Sequence, residues 1–576
     1  MRNAEIAAAL GELATLYELD GANRFRVIAY REAARVIRDC PHSVAELARE
    51  GRATDLQGVG ETLQMKIVAL LDEGEIPAAV KLKKKLPATL VEITRIPGVG
   101  AKTVRKMYDE LGIASLEDLR VAASEHRLRG VKGLGAKLEE NVLEALDRIE
   151  SEGHEERRLL SETLEVGEQL VETLRQLPAA GRVELAGSAR RWGETCKDID
   201  IVATATGPEA LADALLEHEL ADERRSGGAG GASIRTHNGL KVDLRIVPPA
   251  EFGNLLQHFT GSKEHNVKLR ERALGLGLSI SEHGVTETET GKVQTCETEA
   301  EVYKAVGLPY IEPELRHGEG ELAEAENGEL PNLVTVEEIR GELHCHTTLS
   351  DGKNTLPEMV EAARRRGYAY LAVTDHSASH GFGNDVQADA LLERAAEIRD
   401  LDAATKRMKL LAGSEVNVMP DGSLDYEDEV LAQLDWVIAS VHTSFRMSAE
   451  RMTQRLISAI EHPLVDCIGH LSGRLLLKRD PYDLNVGPIF AAAAANGTMI
   501  EINANPRRRD LNERNARLAA DAGVRIVINT DAHQTATLDN MRYGVATARR
   551  AGLGAAQIAN TRSWRSFAPL RKRTRA

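Results

Sequence analysis

Two carboxylates sit two residues apart in KDIDIVATA, residues 197–205. Asp198 and Asp200 flank Ile199 in a run that reads as a strand. In a strand, positions i and i+2 share a face. Two acids side by side repel, and an unpaired buried charge is costly. The pair becomes favourable when it holds a cation. A third acid, Asp243, lies in a second strand pattern, LKVDLRIVPP (240–249). Three carboxylates on adjacent strands suit two Mg²⁺ ions, which prefer oxygen and complete their shells with water and phosphate. Two such ions can activate an attacking hydroxyl and stabilise a leaving pyrophosphate. Upstream, Gly187-Ser188 offers a backbone N–H and a hydroxyl for a triphosphate, with Arg190 and Arg191 beside it.

A second donor set fills residues 341–533. LHCH supplies His344 and His346, LSDG supplies Asp351, TDH supplies His376, and GSEV supplies Glu415. VHTSF adds His442, IGH adds His470, and TDAH adds Asp531 and His533. Imidazole suits Zn²⁺, Mn²⁺ and Fe²⁺, and bridging carboxylates build multinuclear centres. Such a centre makes a nucleophile of water near neutral pH and polarises a phosphoryl oxygen.

These donors must be positioned by something. Around the second set, short apolar strands alternate with helices: YAYLAVTDH (368–376), LDWVIASVH (434–442), VDCIGH (465–470), TMIEINANP (498–506) and VRIVINTDAH (524–533). The polar residues fall at strand ends, where β/α barrels keep their active sites. Around the first set, a helix is expected over about 155–176 and a strand over 183–187. Further upstream, three segments resemble one another: LQGVGETLQMKIVALL (56–71), IPGVGAKTVRKMYDEL (96–111) and VKGLGAKLEENVLEAL (131–146). Each has a Gly-x-Gly turn, at Gly58/Gly60, Gly98/Gly100 and Gly133/Gly135, before a helical pattern. They read as helix–hairpin–helix units. Glycines let the backbone approach a ligand, and the N–H groups at the helix start face an anion. A DNA phosphate is the expected anion, with Lys102 and Lys137 beside two of the turns.

GSxRR, DID and VDLR, followed by HFTGSKEHN (258–266), resemble the polymerase core of the family X DNA polymerases. With the tandem hairpins, the resemblance covers about residues 1–315. It implies templated addition of dNTPs into gapped or nicked DNA. On the matching positions, Asp198, Asp200 and Asp243 would hold Mg²⁺ or Mn²⁺. Gly187, Ser188 and Arg191 would bind the triphosphate, with Arg158 a looser match. Gly261 and Asn266 would shape the nucleotide pocket, and Arg270 would touch the template side. His258 stands where the family usually has a tyrosine at the sugar edge, which leaves ribose discrimination open. Lys66 matches the family's Schiff-base lysine for abasic sugars. Tyr30 and Arg31 also match there, while Thr62 and Arg26 replace expected lysines.

The second set resembles the PHP (polymerase and histidinol phosphatase) domain, a distorted β/α barrel with a trinuclear site. By that resemblance, His344, His346, Glu415 and Asp531 would hold one ion, Glu415, His442 and His470 a second, and Asp351, His376 and His533 a third. The ions would be Mn²⁺, Zn²⁺ or Fe²⁺. Asn417 and Leu471 depart from the usual Asp and Pro. The resemblance implies 3′–5′ exonuclease, 3′-phosphatase and abasic-site endonuclease activity. Two rival readings remain: a 3′-end hydrolase with a weak transferase core, and a DNA-end-binding scaffold.

Length and composition bound the rest. At 576 residues the chain needs several domains. Expected boundaries are a helical lyase-like domain (1–85), a hairpin domain (86–150), a nucleotidyltransferase palm (151–248), a nucleotide-selection subdomain (249–315), an acidic linker (316–335) and the PHP domain with a basic tail (336–576). The fold class is multidomain α/β. Aromatic content of 3% means cores of Leu, Ile, Val and Ala. The net charge of −16 argues against nucleic acid, but glutamates concentrate in 312–329 while RSWRSFAPLRKRTRA at the C-terminus is purely basic. Five scattered cysteines without a CxxC fit a reducing cytoplasm. The opening MRNAEIAAALGELATLYELD reads as an amphipathic helix, not a signal peptide, and nothing reads as membrane-spanning. A cytoplasmic, nucleoid-associated monomer is expected.

Overall fold

The computed structural model describes residues 1–576 except 97, 152–156, 380, 382–383, 405–407 and 573–576. The start of the expected 155–176 helix and the last four tail residues lie outside that set. The chain forms two compact units. The first holds Met1–Arg157, Glu165–Glu184 and Lys197–Val247, and the second holds Arg158–Leu164, Leu185–Cys196 and Pro248–Ala576.

In the first unit, helices Asn3–Leu19 and Arg24–Asp39 share an apolar core through Leu10, Leu13, Leu16, Val27, Ala33 and Ile37. The Asn23 side chain caps the second helix, accepting from Phe25 N–H at 2.9 Å. The expected hairpin helices are present as Glu61–Glu73, Ala101–Leu111 and Ala136–Ser151. The first two end on left-handed glycines, Gly74 and Gly112.

The palm sheet has five strands in the order Ala180–Leu185, Asp198–Ala205, Lys241–Ile246, Gly231–Thr236 and Ala221–Gly228. Asp198–Ala205 and Lys241–Ile246 run parallel. Ile199 and Ile201 are fully buried, while Asp198 and Asp200 on the alternate face are half-buried. The strand expected at 183–187 is shifted: it spans Ala180–Leu185, and Gly187 already opens a helical turn, Gly187–Arg190. The expected long helix begins later, at Leu160, because Arg158–Leu159 pairs antiparallel with Thr195–Cys196.

The longest segment of the second unit begins at Pro248. Helices Phe252–Thr260, Lys263–Gly275 and Glu299–Ala305 accompany a three-stranded antiparallel sheet. The acidic stretch expected as a linker is folded. It contains helix Glu321–Asn327, and Ile311, Leu315, Ala325 and Leu333 join the same core as Leu269 and Val302. Glu321 is buried because its carboxylate accepts the amides of Gly318, Glu319 and Gly320 at 2.7–3.1 Å.

The PHP-like part is a seven-stranded sheet in sequential order, parallel throughout. Its ends approach closure. Cys345 bridges Ala532 in parallel, and His346 N–H donates to Ala532 O at 2.8 Å. Side chains alternate, as the pleat requires. Leu411, Trp436, Ile438, Met499 and Val527 form one apolar cluster, while Leu410, Val437, Ile500 and Ile526 join the larger one. Glu415, Glu501 and Asp531 share the parity of the first cluster, displaced toward the C-terminal strand ends. The strands thus place apolar side chains below and donors above.

Candidate active sites

The strand ends bring all nine expected barrel donors into one cluster. His344 Nε2 is 3.3 Å from Glu415 Oε2, and His346 Nε2 is 3.2 Å from Asp531 Oδ1. His376 Nδ1 lies 2.9 Å, His442 Nε2 3.3 Å and His470 Nε2 2.8 Å from Glu415. His533 Nε2 is 3.2 Å from Asp351 Oδ2. Three subsets converge closely enough to share an ion: His346, Asp351, His376 and His533; His344, His346 and Asp531; and His376, Glu415 and His442. This grouping overlaps the expected one but assigns His346 and His376 to two subsets each. The cluster is buried except at His533 and Asp351, whose side chains are 33% and 22% exposed, so the opening lies there.

The donor chemistry fits metal. Both ring nitrogens of His346 and Nδ1 of His470 are buried without a hydrogen bond among the described residues, as is Glu415 Oε2. Orphaned buried polar atoms need a partner. Burial, helped by His533 and His376, brings His346 down to about 3, and burial brings His442 down to about 4. Both are neutral imidazoles at neutral pH, the form that ligates. Burial opposes ionisation of Asp351, but its hydrogen bond to His533 outweighs this and brings it to about 2. Burial likewise opposes ionisation of Glu415, and the surrounding histidines hold it well below the usual carboxylate range.

Sequence reading missed the residues that aim these donors. Glu501, fully buried, accepts His344 Nδ1–H at 2.7 Å and His470 N–H at 2.9 Å. Asp375 accepts Thr347 N–H, Thr347 Oγ1–H and Ser350 Oγ–H at 2.7–2.8 Å, bracing the turn after His346. Each is an acid in an apolar strand pattern, and that signal was available.

The first donor set falls in the palm. Asp200 lies directly opposite Asp243 on the neighbouring parallel strand, and Asp198 lies opposite Lys241. Lys241 Nζ contacts Asp243 Oδ2 at 2.5 Å and neutralises it. The expected triphosphate and pocket residues belong to the second unit: Arg158, Gly187, Ser188, Arg191, His258, Gly261, Asn266 and Arg270. There, Arg191 Nη1 donates to Thr260 O. Arg190 is engaged otherwise, with Glu299 at 2.6 Å and Thr260 Oγ1 at 2.7 Å. Asn266 is fixed between Gln257 Nε2 and His258 O, both at 2.8 Å. Arg270 Nη2 donates to His258 Nδ1 at 3.1 Å. Gly261 ends helix Phe252–Thr260 with φ 62°, and a Cβ there would meet Arg191 Nη1 at 3.2 Å.

In the hairpins, Gly58, Gly98 and Gly133 have φ of 82–88°, a region that favours glycine. Gly60, Gly100 and Gly135 lack that constraint, and a Cβ at each would meet nothing within 4 Å. Their backbone faces open space. Lys66 is half-buried on Glu61–Glu73.

Hairpin turns, a sheet with paired acids and a parallel barrel crowned by imidazoles and carboxylates define a phosphoryl-transfer protein with two donor sets. Comparison with known proteins agrees. The chain matches a helix-hairpin-helix domain over residues 1–76, a SAM-like helix-hairpin-helix tandem over 90–148, the DNA polymerase beta thumb over 255–317 and the PHP domain over 342–505. It is 36% identical to the DNA polymerase/3′-5′ exonuclease PolX of Bacillus subtilis (strain 168), across 100% of both chains. It is 28% identical to DNA polymerase lambda of Rattus norvegicus, over 54% of this chain and 56% of that one. A probable phosphatase of Thermoanaerobacter sp. (strain X514) is 30% identical over 38% of this chain and 89% of its own. The chain belongs to the bacterial family X DNA polymerases that carry a PHP domain. No described helix is long and apolar enough to cross a membrane.

Proposed function

We propose that this chain repairs DNA by two activities, templated addition of dNTPs into short gaps and hydrolysis at 3′ ends. The observation that carries this reading is the pairing of two donor groups: Asp200 opposite Asp243 in the palm, and nine imidazoles and carboxylates clustered at the barrel mouth. Asp198, Asp200 and Asp243 would hold Mg²⁺ or Mn²⁺, displacing Lys241 from Asp243. The barrel donors would hold Mn²⁺, Zn²⁺ or Fe²⁺. When bound, such ions neutralise phosphoryl charge and activate oxygen nucleophiles.

The chain's own groups do the rest. The turns at Gly58–Gly60, Gly98–Gly100 and Gly133–Gly135, with Lys102 and Lys137, grip DNA phosphates. Ser188 and Arg191 hold the triphosphate, with Arg158 in support. Asn266 and Gly261 frame the nucleotide, and Arg270 faces the template strand. The primer 3′-hydroxyl attacks the α-phosphate and pyrophosphate leaves. His258 stands in place of a tyrosine at the sugar edge and leaves ribose discrimination open. In the barrel, the opening at Asp351 and His533 admits a 3′ end for exonuclease, 3′-phosphatase or abasic-site cleavage. Lys66 is the candidate Schiff-base nucleophile. The protein works as a monomer on gapped or nicked DNA, in the cytoplasm with the nucleoid.

The test is a one-nucleotide gapped duplex with Mn²⁺ and dNTPs, following extension and shortening together. Asp200→Ala abolishes extension and keeps shortening, and His344→Ala does the reverse. Wild-type protein that only shortens or only binds overturns the polymerase half. Shortening that survives His344→Ala overturns the barrel half.

A further inference from the structure

The loop that carries Ser188 and Arg191 lies in sequence between two segments of the first unit, yet it belongs to the second. The barrel domain grips it across residues 191–194. Gly187–Arg190 is a single helical turn, too short to satisfy the carbonyls that follow it. Arg550 Nη1 donates to Arg191 O at 2.8 Å, and Arg509 Nη1 donates to Trp192 O at 2.9 Å. Trp192 has φ 55°, and its ring meets Tyr543 edge-on at 5.9 Å, with the Arg542 guanidinium also 5.9 Å from it. Glu194 pairs with Arg474, Oε2 at 3.1 Å from Nη1 and Oε1 bonded to Nη2.

These arginines are themselves held. Arg509 is fully buried, and its Nε donates to Thr547 Oγ1 at 3.0 Å. Arg550 Nη2 donates to Glu513 at 2.7 Å. Burying guanidinium groups is expensive unless they are well paired. Here each reaches the backbone or carboxylate of one loop, while Arg474 Nε, Arg509 Nη2 and Arg550 Nε are buried without a hydrogen bond among the described residues. Charged donors on carbonyls that close a helical turn are also the favourable polarity. A general packing surface would not need three arginines converging on residues 191–194.

We propose that Arg474, Arg509 and Arg550 are positioning residues for nucleotide addition: the barrel domain holds the Ser188–Arg191 turn in the geometry that receives the triphosphate. This rests on the reading of Ser188 and Arg191 as the triphosphate site. The barrel is then required by the polymerase reaction as well as by its own. The arginines touch the loop backbone and Glu194, so their loss acts through Ser188 and Arg191.

The test uses the full-length protein, a gapped duplex and one dNTP with Mg²⁺, measuring KM and kcat separately. The variants are Arg550→Met, Glu194→Gln and the conservative Arg550→Lys, with Arg191→Met as the control on the site itself. Thermal melts and the Mn²⁺-dependent shortening of a single-stranded oligonucleotide check that Arg550→Met is folded. If it is not, Glu194→Gln carries the test from the loop side. Loss of one charge-assisted hydrogen bond should raise KM for dNTP on the order of 10-fold. We expect kcat to change much less, shortening by Arg550→Met to be unchanged, and Arg550→Lys to recover most of the affinity. If Arg191→Met raises KM but Arg550→Met and Glu194→Gln do not, the clamp is overturned. If kcat and shortening fall together at constant KM, the arginines are only structural and the clamp is again overturned. If Arg191→Met itself leaves KM unchanged, the triphosphate assignment fails first, and the clamp loses its purpose with it.

Discussion

Glu501 shows how much the barrel donors depend on a residue outside the donor set. Its Oε1 accepts His344 Nδ1–H at 2.7 Å and Asn529 Nδ2 at 3.0 Å, while Oε2 accepts His470 N–H at 2.9 Å and Asn503 Nδ2 at 3.0 Å. One carboxylate therefore sets the ring orientation of His344 and the backbone position of His470. Partners of this kind typically contribute about 10- to 100-fold in metal affinity or activity. Glu501→Gln keeps the shape but turns an N–H₂ toward groups that already donate. It should reduce bound Mn²⁺ after dialysis and slow 3′ shortening by about 10- to 100-fold, while templated addition stays near wild type. Equal metal content and equal shortening in the variant would remove the orienting role. The donors themselves were legible in the sequence because each falls in a short polar motif in or after an apolar strand pattern. Glu501 was missed although an acid inside the apolar run TMIEINANP is itself a signal, and the alternation of Met499, Glu501 and Asn503 across the barrel wall places it facing inward.

At the scale of elements, the hairpin turns separate what the fold needs from what a ligand needs. Gly98, at φ 82°, is demanded by the backbone, whereas Gly100 has an ordinary φ and open space around its missing Cβ. Gly98→Ala should lower stability by about 1 kcal/mol. Gly100→Ala should leave the melting temperature unchanged and still weaken binding to gapped DNA, because the methyl group intrudes where a phosphate approaches. Binding titrations over a salt series read this directly, since each lost phosphate contact flattens the log K against log salt slope by about 0.9. Full affinity and slope in Gly100→Ala would return this turn to a purely structural role. The hairpin helices were readable from Gly-x-Gly and helical periodicity, both local signals. The linker expected at 316–335 was misread because the glutamates in and just before it suggest a solvated tether. Glu314 and Glu321 are in fact buried, the first against Arg549 at 2.7 Å and the second on three successive amides. The Arg549 partner lies 235 residues away in sequence, so no local pattern could announce it. The late start of the 160–175 helix has a similar cause, since the Arg158–Leu159 strand exists only by pairing with Thr195–Cys196.

At the scale of the whole molecule, the question is why one chain carries both donor sets. Addition needs a free 3′-hydroxyl as nucleophile, and a 3′-phosphate removes it. In the proposed function, hydrolysis of that phosphate in the barrel would yield the hydroxyl that the palm consumes, so the product of one centre would be the substrate of the other. On a gapped duplex ending in 3′-phosphate, wild-type protein with Mn²⁺ and dNTPs should therefore first release inorganic phosphate and then extend. His344→Ala should do neither on this substrate, yet extend normally when the same gap begins with a 3′-hydroxyl. Asp200→Ala should release phosphate at the wild-type rate and stop there, leaving an unextended hydroxyl. Gel mobility of the primer and phosphate release, followed over time, distinguish these three patterns. If His344→Ala still extends the blocked primer, the phosphate is being removed outside the barrel donor set. The two centres would then not be coupled through the 3′-hydroxyl, even though each keeps its own activity.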